Sequence, residues 1–254
     1  MAMDQEQIIK AAQAIEHSHY AIAFTGAGIS VESGVPPFRG SENSVWSKYD
    51  PQTLELGYFY AHPKESWGAI REIFYNFMFK SEIHPNSAHK ALAALEQRGI
   101  VKAVVTQNID FLHQEAGSKE VYEFHGTAGR VVCTRCKFST KPGDIDLQAE
   151  VPSCPQCRSL LKPDFVFFGE SIPPIVYRKS MEASDKADVV IVVGTTGEVM
   201  PAGMIPINAK RHGATIIEVN PTPSAFTRQV TDIYLQGKAV ETFEALAKEL
   251  RLEI

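Results

Sequence analysis

Apolar residues recur along this chain in two patterns, one with the period of an α-helix and one as short continuous runs. The stretch DQEQIIKAAQAIEHS has apolar positions at helical spacing and predicts a helix. The run YAIAFTG after it predicts a short buried strand that ends in glycine. NSAHKALAALEQRG has a polar start and a C-terminal glycine, which predicts another helix, and IVKAVVTQN predicts the next strand.

The alternation resumes after residue 160. The segments PDFVFFG, ADVVIVVGT, ATIIEVN and DIYLQG predict strands. Helices are expected near 173–186, near 202–212 and over the final AVETFEALAKELRL. Short β-branched runs that alternate with helices are typical of a parallel sheet covered on both faces. We therefore predict an α/β fold built on such a sheet.

Small and polar residues follow three of the predicted strands, in TGAG, TQNID and GTT. In open α/β sheets, ligands bind in the crevice beyond the carboxyl ends of the strands. The sequence thus predicts that these three loops meet at one ligand site.

Composition places the chain among ordinary globular proteins. Its 254 residues are 44% hydrophobic and 22% charged, and the net charge is −5. An acidic chain of this kind is not built to attract nucleic acid or an anionic membrane over its whole surface, so we expect neither as a direct partner.

Two further features indicate a cytoplasmic protein. The longest purely apolar run, VVIVV, is far shorter than a membrane span requires. The start, MAMDQEQIIK, has acidic and amide residues where a signal peptide would carry a basic and then an apolar region. We expect a cytoplasmic location with reduced thiols.

The four cysteines form two closely spaced pairs. Cys133 and Cys136 are separated by two residues, as are Cys154 and Cys157. This C-x2-C…C-x2-C spacing is typical of a structural zinc site, in which four thiolates leave no open position. Two disulfides would fit a cytosolic chain badly, and a redox motif needs only one pair. A zinc ribbon that binds nucleic acid is the competing use, but the segment carries no aromatic ladder for stacking bases.

The glycine-rich turn in FTGAGISVESG follows the first predicted strand. Gly26 and Gly28 would let the backbone approach a phosphate closely, and a helix expected to start at Ser30 or Ser33 would favour the anion. Val31 stands where a dinucleotide fingerprint has its third glycine, and no acidic residue is firmly placed to bind a ribose. An ordinary dehydrogenase is therefore a poor fit.

Eight segments resemble the sirtuins, the NAD-dependent protein lysine deacylases, in order and spacing. They are GAGISVESGVPPFRG, TQNIDFLHQEAGS, EFHG, the paired C-x-x-C motifs, VFFGE, GTT, VNPTP and GKA. The resemblance implies a Rossmann-like NAD-binding domain over 1–38, 84–126 and 161–254, a helical insert and cofactor loop over 39–83, and a zinc ribbon over 127–160. NAD and the acyl-lysine would bind in the crevice between the large domain and the smaller zinc-ribbon and helical module.

The resemblance also assigns roles to individual residues. It implies His125, Asn108 and Asp110 as catalytic residues. The implied NAD contacts are Gly26, Ala27, Gly28, Ser30, Phe38, Arg39, Gln107, Asn108, Asp110, Gly194, Thr195, Thr196, Asn220 and Ala239. Without the resemblance, QNID would equally suit a turn after a strand.

His125 lies just ahead of the first cysteine pair, yet it would be a fifth ligand for a four-coordinate ion. In the sirtuin pattern this histidine is the general base. The acyl-lysine carbonyl oxygen attacks C1′ of the nicotinamide ribose, nicotinamide leaves, and an alkylamidate forms. His125 would then take a proton from the ribose hydroxyls, so that the 2′-oxygen attacks the amidate. The implied products are lysine, nicotinamide and O-acyl-ADP-ribose.

The segment VFFGE resembles the edge to which a substrate peptide adds as a strand, through Val166, Phe168, Gly169 and Glu170. Sirtuins that prefer succinyl- or malonyl-lysine carry a Tyr-x-x-Arg pair in the helical insert. The insert here has no such pair, and its only arginine is Arg71. The segment is rich in Phe, Ile and Met, so we expect acetyl-lysine in a protein or peptide to be preferred over succinyl-lysine.

Two other classes of function remain open from the sequence. A protein mono-ADP-ribosyltransferase would cleave NAD in the same way but pass the ribose to a protein; His125 and the peptide segment favour the deacetylase. A non-enzymatic zinc-ribbon partner protein would have no use for Asn108, Asp110 and His125 together.

Overall fold

The computed structural model describes residues 4–37, 44–76 and 82–254. Its strands are β1 (Ala21–Thr25), β2 (Val101–Thr106), β3 (Val121–Glu123), β4 (Gly126–Cys133), β5 (Ser139–Thr140), β6 (Leu161–Phe165), β7 (Val189–Val193), β8 (Thr215–Asn220) and β9 (Ile233–Gln236). Its α-helices are α1 (Gln5–Glu16), α2 (Val45–Lys48), α3 (Leu56–Ala61), α4 (Pro63–Ile70), α5 (Ser87–Gln97), α6 (Leu112–Glu115), α7 (Pro174–Lys186), α8 (Met204–Arg211) and α9 (Ala239–Leu250). A π-helical turn, Arg71–Tyr75, follows α4.

Six of these strands form one parallel sheet in the order β3-β2-β1-β7-β8-β9. The central strands β1 and β7 are buried at every position, which explains why their sequences are continuous apolar runs. The chain order reverses at β1, where β2 pairs on one side and β7 on the other. The predicted α/β class with a parallel sheet is confirmed.

Helices cover both faces of this sheet because successive strand residues point to opposite sides. On one face, Ala23 and Ile191 pack in a cluster with residues of α1, α5 and α9, such as Ile15 of α1. On the other face, Phe24 and Val192 pack in a cluster with residues of α7 and α8. The sheet thus has an apolar core on each side.

A smaller antiparallel sheet has the order β5-β4-β6. The sequence assigns PDFVFFG to the large sheet, and the structure corrects this. Strand β6 pairs with β4, with Val132 opposite Lys162. A short apolar run indicates a buried strand but not which sheet buries it, since both sheets have apolar cores.

The helices of residues 56–70 pack against the small sheet rather than the large one. Trp67 and Phe74 share an apolar cluster with Phe165 of β6. The Trp67 indole N–H donates to the Leu161 carbonyl at 3.0 Å, which satisfies a polar atom inside the cluster. This helical layer and the small sheet therefore form one packed unit beside the large sheet.

Within the part of the chain that is described, no helix combines the length and the apolar character needed to cross a membrane.

Candidate active site

The carboxyl ends of β1, β2 and β7 lie side by side, and the loops after them are hydrogen-bonded to these strands. The Gln107 N–H donates to the Thr25 carbonyl at 2.9 Å, and the Gly26 N–H donates to the Val193 carbonyl at 2.9 Å. The structure thus brings together the three loops that the sequence directs to one site.

The glycine-rich loop contacts the loop after β7 backbone to backbone. A Cβ atom added at Gly28 would lie 2.5 Å from the Gly194 Cα, and one at Gly26 would lie 2.8 Å from the Gly194 oxygen. The Gly28 N–H also donates to the Gly194 carbonyl at 2.8 Å. Gly194 itself has φ +60, in the left-handed region that favours glycine. The three glycines are required by this contact, whatever ligand binds beside it.

The expected helix after the glycine loop is wrong. The chain instead forms two 3₁₀ turns, Ala27–Ile29 and Val31–Ser33, with Ser30 between them. Ser30 and Ser33 have the polar side chains of a helix start. However, Gly34 at φ +93 and a proline pair follow too closely for a helix to extend. The loop therefore does not lead directly into a helix over residues 30–37, and hydrogen-bonding groups of the loop itself are available to a ligand.

A buried network joins Ser30, Asn108 and Asp110. The Asn108 amide donates from Nδ2 to the Ser30 hydroxyl at 3.1 Å and to the Gly26 carbonyl at 3.2 Å. The Ser30 hydroxyl donates to Asp110 Oδ2 at 2.6 Å. Burial raises the pKa of Asp110, while hydrogen bonds from Ser30, the Leu112 N–H and Asn108 lower it. Hydrogen bonds thus join the expected catalytic pair, Asn108 and Asp110, to the glycine-rich loop.

Two buried histidines lie behind this network. His113 Nε2 is 2.9 Å from the Thr25 hydroxyl, and His89 Nε2 is 3.4 Å from the Ser30 hydroxyl. Their ring centroids are 4.9 Å apart. Burial lowers the pKa of His89 to about 4 and that of His113 well below its ordinary value. Both rings are uncharged at neutral pH, so they pack beside each other without repulsion.

His125 lies between β3 and β4 and is held at two atoms. Its Nδ1 is 3.1 Å from the Gln107 carbonyl, which can only accept, so Nδ1 carries the proton and Nε2 has a free lone pair. Its own carbonyl accepts the Val166 N–H at 2.8 Å. Burial lowers the pKa of His125, while the hydrogen bond to Gln107 raises it. The half-buried ring is therefore neutral at pH 7, with Nε2 available as a base.

Further polar residues continue the site toward β8. Gln107 donates from Nε2 to the Thr195 hydroxyl at 3.0 Å. Asn220, at the end of β8, donates from Nδ2 to the Thr195 carbonyl at 3.0 Å and to Glu218 at 3.0 Å. The exposed Thr196 accepts the Ala225 N–H on its carbonyl. These side chains form one line across the carboxyl edge of the sheet.

The remaining NAD contacts that the resemblance implies lie in three places. Ala27 is in the first 3₁₀ turn and half-buried. Ala239 begins α9, and the next N–H, of Val240, donates to Glu32 at 2.9 Å, which ties α9 to the glycine loop. Phe38 and Arg39 lie outside the described residues.

The segment 165–170, which contains the residues 166–170 expected to bind the peptide, continues from β6 past His125. The Phe168 N–H donates to the Leu54 carbonyl at 2.9 Å, and its carbonyl accepts the Leu56 N–H at 3.0 Å. The Phe168 side chain is exposed, whereas Phe167 is buried. Gly169 has φ +81, which places a turn before Glu170. The segment therefore runs from the backbone of His125 to that of Leu54 and Leu56, with the Phe168 side chain exposed.

The four cysteine sulfur atoms all lie within 4.8 Å of one another, and none of the cysteines is in a disulfide. Cys133 and Cys157 are 3.5 Å apart at sulfur, and Cys136 and Cys154 are 3.6 Å apart. Sulfurs at about 2.3 Å from a tetrahedral zinc lie about 3.8 Å from one another. The cluster fits a four-thiolate zinc site.

The two cysteine pairs have the same backbone geometry. Cys133 donates its N–H to the Phe138 carbonyl at 2.7 Å, and Cys154 donates to the Ser159 carbonyl at 2.8 Å. In each pair the residue after the second cysteine is left-handed, Lys137 at φ +62 and Arg158 at φ +60. The N–H groups of residues 135 and 136 also point at the Cys133 sulfur, as metal-bound thiolates require.

Sequence reasoning did not identify two residues that support this site. His89 carries no motif of its own; the signal for it is its place in the polar start NSAH, where it caps α5 together with Asn86. Lys162 of β6 is buried and forms an ion pair with Glu170 of the segment 165–170. The sequence signal for it is a single charged residue within an apolar run, because a buried lysine needs a partner.

Comparison with known proteins adds to this geometry. A family model described as the Sir2 family matches residues 26–201. An "NAD-dependent protein deacylase" of Pyrococcus furiosus is 47% identical over 242 residues, covering 92% of this chain and 94% of that protein. The structure of a Sir2 variant with a deacetylated p53 peptide and 3′-O-acetyl-ADP-ribose has a TM-score of 0.90 at 34% identity, covering 96% of this chain and 98% of that one. A Sir2 homologue in complex with NAD has a TM-score of 0.85 at 38% identity, covering 95% and 93%.

Proposed function

The chain belongs to the Sir2 family, and from that membership we propose that it is an NAD-dependent protein lysine deacetylase. It converts acetyl-lysine and NAD to lysine, nicotinamide and O-acetyl-ADP-ribose. One observation carries this assignment to the site: His125 is bonded through its ring to the loop after β2 and through its carbonyl to the segment 165–170. It lies between the residues expected to hold NAD and those expected to hold the peptide.

The residues at the carboxyl edge of the sheet fit NAD. Its ribose hydroxyls and carboxamide bind through hydrogen bonds, and the site offers side-chain amides and hydroxyls at Asn108, Ser30, Thr195 and Asn220. When bound, NAD supplies an electrophilic ribose carbon and nicotinamide as a leaving group. We assign Asn108 and Asp110 to orienting the nicotinamide end. The adenosine end is assigned to Gly194, Thr195, Asn220 and Ala239.

His125 is the general base. The Gln107 carbonyl holds the proton on Nδ1, so Nε2 accepts the proton of a ribose hydroxyl. The lowered pKa keeps the ring neutral in the resting enzyme. Once protonated, the ring stays anchored at Nδ1 because that nitrogen donates in both protonation states.

The cysteine cluster holds zinc in a structural role. Cys133, Cys136, Cys154 and Cys157 supply four ligands and leave no open coordination position. Free thiols in this arrangement suit a reducing compartment, and the cytoplasm stays our expected location. That nucleic acid and membranes are not direct partners also stays a prediction.

The direct test is nicotinamide release from NAD in the presence of one peptide, made with acetyl-lysine or with unmodified lysine. We expect release with the acetylated peptide alone, together with its deacetylation. Release with the unmodified peptide, with ADP-ribose attached to protein, would instead support the mono-ADP-ribosyltransferase. The same incubation without peptide measures background hydrolysis of NAD.

A further inference from the structure

Lys162 is a buried lysine on β6, with only 7% of its side chain exposed. Its ammonium group lies 2.8 Å from the Phe165 carbonyl, 3.1 Å from the Pro163 carbonyl and 2.9 Å from Glu170 Oε2. It also lies 4.7 Å from the centroid of the Phe167 ring. All three N–H bonds of the ammonium thus have acceptors, and the aromatic face adds a further attraction.

Glu170 links Lys162 to the backbone of the segment. The oxygen that contacts Lys162 also accepts the Phe167 N–H at 2.9 Å, and the Glu170 N–H donates to the Phe167 carbonyl at 2.9 Å. Gly169 closes the turn between them. A single carboxylate therefore joins the buried cation to the middle of the segment 165–170.

Val166 and Phe168, which alternate with Phe167, form backbone hydrogen bonds along the opposite edge of the segment. Val166 donates its N–H to the His125 carbonyl at 2.8 Å, and Phe168 exchanges hydrogen bonds with Leu54 and Leu56. Without Glu170, the Phe167 N–H would lose its partner, whereas the N–H groups of Val166 and Phe168 would keep theirs. The conformation of the segment thus depends on both edges.

We propose that Lys162 is a positioning residue for the substrate peptide, which acts through Glu170 to hold residues 166–169 in the form to which the peptide adds as a strand. This inference rests on the proposed function, because it takes the segment 165–170 as the peptide site. Lys162 itself is buried beneath the segment and does not touch the substrate.

Stability alone explains this arrangement poorly. A buried ion pair roughly offsets its own desolvation cost, and an apolar residue of similar volume in its place often leaves stability unchanged. Burial lowers the pKa of Lys162, and Glu170 opposes that shift. The desolvation cost of burying Lys162 beside the segment 165–170 is consistent with a role in fixing the conformation of that segment.

The test compares Lys162→Met with Lys64→Met. Lys64 also pairs with a glutamate, Glu150, but both side chains are largely exposed. Three quantities are measured: the KM for an acetyl-lysine peptide and for NAD, the Kd of the same fluorescein-labelled peptide by anisotropy, and the hydrogen exchange rate of the Phe167 amide. Lys162→Gln replaces the methionine variant if that variant does not fold, and Lys162→Arg tests rescue by a retained charge.

For Lys162→Met we expect the peptide KM and Kd to rise about tenfold, because about one charge-assisted hydrogen bond is lost. We also expect the Phe167 amide to exchange faster. The KM for NAD and kcat stay within about twofold, and Lys162→Arg recovers most of the peptide affinity. Lys64→Met changes none of these quantities. A merely structural role would lower kcat through a smaller folded fraction and leave the peptide KM unchanged.

If the wild type deacetylates the peptide but Lys162→Met has unchanged peptide affinity and an unchanged hydrogen exchange rate at the Phe167 amide, the inference is overturned. A wild type that binds the peptide but does not deacetylate it would refute the proposed function and leave the binding comparison decisive for Lys162. A wild type that neither binds nor deacetylates the peptide would overturn both.

Discussion

At the scale of single residues, two hydrogen bonds position His125 for its proposed role as general base. The Gln107 carbonyl fixes the tautomer, and the Val166 N–H fixes the backbone beside the peptide segment. The ring therefore needs no carboxylate partner to point Nε2 at a substrate. This differs from catalytic histidines that a buried aspartate orients.

We expect His125→Ala to lower kcat/KM about 100- to 10,000-fold, the range for the loss of a positioned general base. Zinc content and the midpoint of urea unfolding should match those of the wild type, because the ring is only half-buried. Steady-state assays on an acetyl-lysine peptide measure the effect. A variant that deacetylates at the wild-type rate would remove His125 from the mechanism.

The acidic limb of the pH–rate profile should report the same histidine. A base must be unprotonated, and burial lowers the pKa of His125 below its ordinary value of about 6.5. Activity should therefore hold from pH 7 down to about 6.5 and fall only at lower pH. An acidic limb with its midpoint above pH 7 would contradict this environment.

His89 makes a separate prediction about stability. Its folded-state pKa is about 4, below the ordinary value, so protonation favours the unfolded chain. Its contribution is complete above about pH 6.5 and is lost as pH falls toward 4, which amounts to roughly 3 kcal/mol. Urea unfolding of the wild type and His89→Gln at several pH values measures this. Between about pH 6.5 and 4 the wild type should lose roughly 3 kcal/mol relative to His89→Gln; parallel free-energy curves would refute the assignment.

At the scale of elements, we expect the cysteine-rich segment to depend on zinc. Residues 134–160 carry little regular structure beyond β5 and a 3₁₀ turn, Pro142–Asp144, so four zinc–thiolate bonds would hold the two cysteine pairs together. Zinc affinity in such a segment acts as folding free energy. The helices of residues 56–70 share its apolar cluster, so they also lose support without zinc.

Replacing any one of the four cysteines with alanine should therefore remove zinc, lower the unfolding temperature and abolish activity through misfolding. Metal analysis and thermal unfolding of each variant measure this, with the exposed neighbour Ser153→Ala as the control. A protein purified without zinc, or a four-alanine variant that stays folded and active, would contradict the metal assignment.

The helical segment also bears on the acyl group. Arg71, its only arginine, donates to the Ala149 carbonyl at 2.8 Å and lies within 3.4 Å of the Leu147 and Glu150 carbonyls. It holds the cysteine-rich segment in place through these bonds. A succinyl carboxylate buried beside the described part of this segment would then have no arginine partner, at a desolvation cost of about 3 kcal/mol or more.

We therefore expect kcat/KM for an acetyl peptide to exceed that for the succinyl form of the same peptide by at least about 100-fold. Arg71→Met should lower stability without changing this ratio. Comparable rates on the two peptides, or a ratio that collapses in Arg71→Met, would show that Arg71 reaches the acyl group.

Elements also show what the sequence can and cannot specify. Apolar runs and caps locate the strands and helices of the large sheet, because each is a local pattern. The sequence predicts the wrong sheet for β6, since pairing with β4 depends on residues far apart in the chain, which a short apolar run does not encode. The sequence does not indicate the 3₁₀ turns after Gly26, because Ser30 and Ser33 resemble helix caps. His89 and Lys162 act through contacts that only the folded chain creates.

At the scale of the whole molecule, the large sheet and the small sheet meet at His125. Strand β3 brings the chain to it from the large sheet, and β4 carries the chain onward into the small one. Gly126, at φ +72, makes the turn, and a Cβ there would lie 2.2 Å from the Asp164 carbonyl oxygen. The residues expected to hold NAD and peptide thus come from different sheets but share one histidine.

The fate of the acetyl group tests this account most directly. The protein is incubated with NAD and an acetyl-lysine peptide, and the products are identified by mass spectrometry. We predict deacetylated peptide, nicotinamide and O-acetyl-ADP-ribose in equal amounts, with no reaction in the absence of NAD. Free acetate formed without consumption of NAD, or ADP-ribose attached to the peptide with the acetyl group still in place, would contradict it.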